Sequence, residues 1–204
     1  MAFWTTNFTD PTLGGEGEPK RVFRFKVTMN GISDGTMGGN TSILWSIKDI
    51  KKPSFTIKDT SHKYLNHTFY YPGSVEWDPI DLTLVDPVRP DMTATIASIV
   101  EASGYKPPRT VNQLDTISKS KAASSLGAVI IEQFNSNGVI LETWNLRNAF
   151  ITKFNPGELK YDGEDLSTIS LTLRYDWATC QTKNGSIANV QQGAKNFFNK
   201  KAKD

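Results

Sequence analysis

From residue 167 to 177 the chain alternates without a break: Ile169, Leu171, Leu173, Tyr175 and Trp177 fall on one side, and Ser170, Thr172, Arg174 and Asp176 on the other. A period of two predicts a strand with one face in a core and one in water. The same rhythm recurs upstream. Phe23, Phe25, Val27 and Met29 alternate with Arg24, Lys26 and Thr28, and Ile43, Trp45 and Ile47 share one side of a second run over 42–50. A third strand begins with Phe55-Thr-Ile-Lys58 after Pro53, and 65–71 and 75–85 read as two more, separated by Pro72-Gly73. Residues 128–134 and 139–146 flank Asn135-Ser-Asn-Gly138, a strong hairpin signal, and 150–154 leads through Asn155-Pro-Gly157 into a partner over 158–161. Many short strands between regular turns predict an antiparallel sandwich or barrel rather than a parallel α/β sheet.

One segment carries the helical period instead. Over 91–103, Met92, Ile96, Ile99, Val100 and Ser103 form one stripe, with Asp91 as N-cap and Gly104 as stop. A helix of that length is marginal alone in water, so it packs on the sheet. Residues 104–127, rich in Ser, Lys and Ala, read as a surface loop with a brief helical turn near Val111, Leu114 and Ile117. The fold expected is mainly β, a small β-barrel or sandwich with one flanking α-helix over 20–178. An N-terminal arm over 1–19 precedes it. A tail over 179–204 follows, in which Ile187, Val190, Ala194, Phe197 and Phe198 fall on one helical stripe. Phe3 and Trp4 in the arm and Phe197 and Phe198 in the tail are costly to leave in water, at about 1.5–3 kcal/mol for each large side chain. They mark both termini as candidate contacts with other subunits.

Composition narrows the function classes. A net charge of +2 over 204 residues excludes bulk wrapping of nucleic acid. No apolar run reaches the roughly 18–20 residues of a membrane span, and no membrane partner is expected. Cys180 is the only cysteine, and the start Met-Ala-Phe-Trp lacks a basic then apolar leader, which sets the expectation of synthesis in a reducing cytoplasm. The glycine-rich run 30–40 lacks the Gly-Lys-Ser/Thr of a phosphate-binding loop and leads into a strand. His62 and His67, with Asp59 nearby, fall short of the three or four convergent ligands a metal needs. No Gly-x-Ser-x-Gly elbow occurs, and carboxylates such as Glu76, Asp78, Asp81 and Asp86 are scattered. No catalytic residue, cofactor or metal is assigned.

Three strings, Trp144-Asn-Leu-Arg-Asn-Ala-Phe-Ile151, Gly157-Glu-Leu-Lys-Tyr161 and Ile169-Ser-Leu-Thr-Leu-Arg-Tyr-Asp-Trp177, resemble in this order the tail-tube proteins of contractile-tailed bacteriophages. Val75-Glu-Trp-Asp-Pro-Ile-Asp-Leu-Thr-Leu-Val-Asp86 and the helix after it are also similar to that family. The related Hcp tubes serve type VI secretion. The resemblance implies a virion structural protein without enzymatic activity, made in the host bacterial cytoplasm. Its subunits would form hexameric rings stacked into a tube, with tail sheath, baseplate and tail-terminator proteins as partners and DNA in transient, non-specific passage. It also implies that Thr172, Arg174 and Asp176 face the lumen or a neighbouring subunit. The long arm, the glycine-rich loop and the tail leave room for a tube-initiating ring at the baseplate. From another class, a monomeric β-barrel module binding carbohydrate or single-stranded nucleic acid fits the same strands, and an enzyme would require converging carboxylates in a cleft.

Overall fold

A computed structural model describes residues 20–31, 42–43, 46–89, 91–106, 116–182 and 196–197, with the pairs 42–43 and 196–197 described through their backbone alone. The arm, the glycine-rich loop beyond Gly31, Trp45, the turn near Val111 and most of the tail lie outside the described residues.

The described strands form three antiparallel sheets. One has six strands in the order β12 (Asn196–Phe197), β11 (Trp177–Thr182), β8 (Ile140–Arg147), β7 (Val129–Phe134), β1 (Phe25–Met29) and β2 (Ser42–Ile43). A second has four, in the order β3 (Ile47–Ile50), β6 (Ile80–Val85), β10 (Thr168–Arg174) and β9 (Phe150–Asn155). The third is a hairpin of β4 (Phe55–Tyr64) and β5 (His67–Trp77). Among the described residues these sheets do not close into a barrel.

The six- and four-stranded sheets share one core. Val27, Met29, Val129, Ile131 and Leu146 come from the first, and Ile80, Leu82, Leu84, Ile169, Leu171 and Leu173 from the second. Helix α1 (Met92–Ala102) adds Met92, Ile96 and Ile99, on the stripe expected for it. Its Asp91 cap accepts from the Ala94 amide at 2.9 Å. The alternation that opens the sequence reading therefore buries Ile169, Leu171, Leu173 and Tyr175 as expected.

Several expectations give way. The Lys-Ser-Ala tract read as loop contains a second helix, α2 (Lys119–Leu126), capped by Ser118 and ended by Gly127, so among the described residues two helices flank the sheets rather than one. Only Ala122 and Leu126, one turn apart, are buried from it, too few to make an apolar stripe visible in sequence. Trp177 leaves the core face, because the chain breaks at Tyr175–Asp176 and Trp177 starts β11 in the other sheet, 45% exposed. The run 42–50 is split in the same way, into β2 and β3 of different sheets around buried Ser46. Residues 158–161 form no strand, and Leu159 and Tyr161 stand exposed. The helical stripe ascribed to the tail does not hold at Asn196–Phe197, which pairs as a strand with Cys180 and Gln181. Pro72-Gly73 separates nothing, since β5 runs straight through it, and the true break comes at Asp78–Pro79.

Candidate assembly surfaces

The hairpin is the feature that most departs from a self-sufficient domain. Its root is fixed by aromatic packing: the Phe55 and Trp77 rings lie 5.2 Å apart between centroids, and Trp77 meets Tyr175 at 5.8 Å. Polar contacts reinforce it, with Ser54 Oγ donating to Asp78 Oδ2 at 2.9 Å and Lys58 Nζ 2.7 Å from Glu76 Oε2. The Lys58 ammonium, by hydrogen bond and charge, holds the Glu76 carboxyl below the usual carboxylate range.

Beyond the root the register slips. Ile57 pairs with Val75 but Asp59 with Pro72, so β5 spends one residue more than β4 and bulges at 73–74. Proline, which donates no amide hydrogen, is tolerated at such a bulge, and at Gly73 a Cβ would stand 2.9 Å from the Lys58 carbonyl oxygen. Past this point no third strand or helix among the described residues covers the hairpin. Tyr64, Phe69, Tyr70 and Tyr71 are each at least half exposed. At the tip, Leu65 is 78% exposed and adopts φ 53°, a left-handed conformation that a leucine takes only at a cost. A lone two-stranded ribbon is marginally stable in water, and a cluster of exposed aromatics marks a contact surface.

The outer face of the four-stranded sheet is a second candidate. Cross-strand register lines up Asp49, Thr83, Ser170 and Asn155 in one row and Asp81, Thr172 and Lys153 in the next. Thr172 Oγ1 donates to Asp81 Oδ1 at 2.9 Å, Lys51 Nζ donates to Asp81 Oδ2 at 2.8 Å, and Thr83 Oγ1 donates to Asp49 Oδ1 at 3.1 Å. Lys51, then Thr172, hold the Asp81 carboxyl below its ordinary range. The face is hydrophilic, and its acids are already engaged. Its edge strands, β3 and β9, each carry a bulge and a lysine, Lys48 and Lys153, features that discourage indiscriminate pairing.

The residues singled out from sequence go to different places. Thr172 lies on that outer face. Arg174 reaches the hairpin root, with Nη2 3.6 Å from Glu76 Oε1. Asp176 instead accepts from Lys119 Nζ at 2.7 and 2.8 Å and from Asn148 Nδ2 at 2.8 Å, tying α2 to the β8–β9 turn. Phe197 belongs to β12, and Phe3, Trp4 and Phe198 lie outside the described residues. The hairpin aromatics are not distinguished in sequence, because Thr68-Phe-Tyr-Tyr71 reads like any strand and nothing local signals that these side chains stand exposed.

A polar node anchors the domain where the arm enters. The buried Glu142 carboxylate accepts from Lys20 Nζ at 2.6 Å, from Lys52 Nζ at 3.1 Å and from the Trp144 indole. Burial pushes its pKa up, but these donors outweigh burial and bring it down to about 2. Among the described residues no group of three His, Cys, Asp or Glu side chains converges for a metal ion. A cavity of about 230 Å³ between α1, α2 and β9 is mostly apolar and lined by no acid, imidazole or thiol.

No protein-family model matches the sequence, and no curated protein matches it significantly. Solved structures do match the fold. A chain of the anti-feeding prophage baseplate aligns at TM-score 0.58 with 17% identity, over 81% of this chain and 97% of its own. A chain from the PVC extracellular contractile injection system, in the sheath/tube terminator structure, aligns at TM-score 0.56 and 19% identity over 81% and 98%. Another, from the extended sheath–tube complex of PVC, aligns at 0.55 and 19% over 85% and 98%. The fold is shared with contractile injection systems. Nearly the whole of each matched chain is covered, so the likeness concerns a complete subunit fold rather than a shared hairpin or sheet.

Proposed function

We propose that this protein is a structural subunit of a contractile phage tail tube, in which copies form hexameric rings that stack around a DNA-conducting lumen. The observation that carries the reading is the hairpin β4–β5, which exposes aromatic side chains and which, among the described residues, no further strand or helix covers beyond its root. A second copy would supply the missing cover. The fold shared with chains of a sheath–tube complex supports the same reading, as does the hydrophilic outer face of the four-stranded sheet, suited to lining a water-filled channel. The open edges β3 and β9 would meet those of neighbouring copies, and the apolar residues of both termini would contact adjacent rings. Sheath, baseplate and terminator proteins are the expected partners, and no chemical step is involved.

A ring at one end of the tube is the second reading, favoured by the matches to chains in a baseplate and in a sheath/tube terminator structure. Electron microscopy of the concentrated purified protein tests the proposal. Stacked rings support it, isolated single rings favour the end-ring reading, and particles of monomer size contradict both.

A further inference from the structure

The tail strand β12 is held by a small contact for the length of chain that leads to it. It pairs with β11 at two positions only, Phe197 with Cys180 and Asn196 with Gln181. Thirteen residues, 183–195, join the two strands, where antiparallel neighbours are ordinarily joined by about two to five. The contour of that linker reaches about 45 Å, against the roughly 5 Å between adjacent strands. Closing so long a loop costs entropy, and two residue pairs return little against the ordering of the strand itself. Trp177, Ala178 and Thr179 continue the same edge of β11, and among the described residues no strand pairs with them there.

We infer that β12 is exchanged between copies: in the assembly, Asn196–Phe197 of one chain pairs with Gln181 and Cys180 of the next. The inference rests on the self-assembly proposed above. The register on β11 names the occupant of this edge, because the segment that fits it is the one already paired there, and every copy presents the same edge to every other copy's tail. Exchange replaces each contact with an identical one, so it sacrifices nothing in the ladder. Among packed subunits a neighbour's β11 stands at high effective concentration, and the linker is long enough to reach it. A tail that pays loop closure for two pairs at home makes the same two pairs next door without closing that loop. Neighbours are then tied by a crossing segment of chain as well as by surface contact.

The chain contains one cysteine, Cys180, which lies directly opposite Phe197. Facing residues of an antiparallel pair stand about 4.5–5.5 Å apart at Cα, within disulfide reach. The experiment assembles the native full chain together with the Cys180→Ser/Phe197→Cys variant, oxidises the material gently with glutathione disulfide, and resolves it by denaturing electrophoresis without reductant. A disulfide from native Cys180 to the variant's position 197 can form only between chains. Because Cys180 is buried, a second pair, Cys180→Ser/Gln181→Cys with Cys180→Ser/Asn196→Cys, places both thiols one position along, at exposed Gln181. Exchange predicts a two-chain band, with the 180–197 or 181–196 linkage identified by mass spectrometry, from sedimented assemblies and not from the same mixtures kept dilute and unassembled. The single variant Phe197→Cys should likewise move from an internal disulfide in the dilute chain to multi-chain ladders in assemblies. Assemblies in which neither mixed pair links, or in which Phe197→Cys keeps its disulfide within one chain, overturn the exchange while leaving self-assembly intact. A native chain that never assembles overturns the self-assembly reading itself.

Discussion

The Trp77 and Tyr175 rings meet edge to face, 5.8 Å between centroids, at the point where the exposed hairpin joins the buried end of β10. One residue belongs to the protruding ribbon and the other to the shared core, so their contact sets how the ribbon is carried. Trp77→Ala should cost about 2–4 kcal/mol, from lost ring packing and a partly exposed cavity, and should speed amide exchange throughout β4 and β5 before the main sheets. Tyr175→Phe should cost under about 1 kcal/mol, because the hydroxyl's bond to the Ser54 carbonyl is long, at 3.5 Å. Hydrogen exchange followed by mass spectrometry separates the two outcomes.

Glu142 predicts an acid limb of the stability curve. Its folded pKa of about 2 lies below the ordinary value of 4.5, so its contribution is fully present above about pH 4.5 and is lost as pH falls towards 2. Glu142→Gln should destabilise the protein at neutral pH by about 2 kcal/mol, a figure discounted for the exposed ends of Lys20 and Lys52. The gap between the variant and the native protein should close on acidification. Urea midpoints measured from pH 7 to pH 2 check both the size and the sign.

The two faces of β10 predict opposite outcomes. Leu173 is fully buried, so Leu173→Asp places an unpaired charge in the core and should abolish soluble folded protein. Thr172→Ala loses one exposed hydrogen bond, to Asp81, and should cost about 1 kcal/mol or less. Equal loss of soluble protein in both would contradict the face assignment.

Gly31 predicts a steric requirement. A Cβ there would stand 2.1 Å from the Ser125 carbonyl oxygen and 2.6 Å from that of Leu126, and the Gly31 amide donates to Leu126 O at 2.9 Å. Gly31→Ala must push the end of α2 away and uncover Leu126, at a cost of about 1–3 kcal/mol. Thermal unfolding monitored by circular dichroism should show a lowered midpoint, and no change would mean that α2 yields freely.

Much of this architecture is legible in the chain. Alternation locates β1, β7, β8, β9 and β10 to within a few residues, and the stripe with its Asp91 cap locates α1, because local pattern and burial agree there. It fails where a strand changes sheets, as at Ser46 and at Tyr175–Asp176, since a period of two counts residues without knowing which sheet receives them. It fails again at Pro72-Gly73, where a bulge uses the residues of a turn, and at Leu65–Asn66, where a turn forms without glycine or proline. The candidate surface was hidden for a related reason: apolar residues on β4 and β5 look the same in sequence whether they fill this subunit's core or await another's.

The most direct test of assembly through the hairpin is sedimentation velocity on the native chain and on a Leu65→Ser/Phe69→Ser/Tyr71→Ser variant at equal concentration and in the same buffer. All three side chains are exposed in the single subunit, so the variant should remain folded. The account predicts large, concentration-dependent assemblies for the native chain and a folded monomer or single ring for the variant. A native chain that stays monomeric at high concentration, or a variant that assembles as the native chain does, would contradict it.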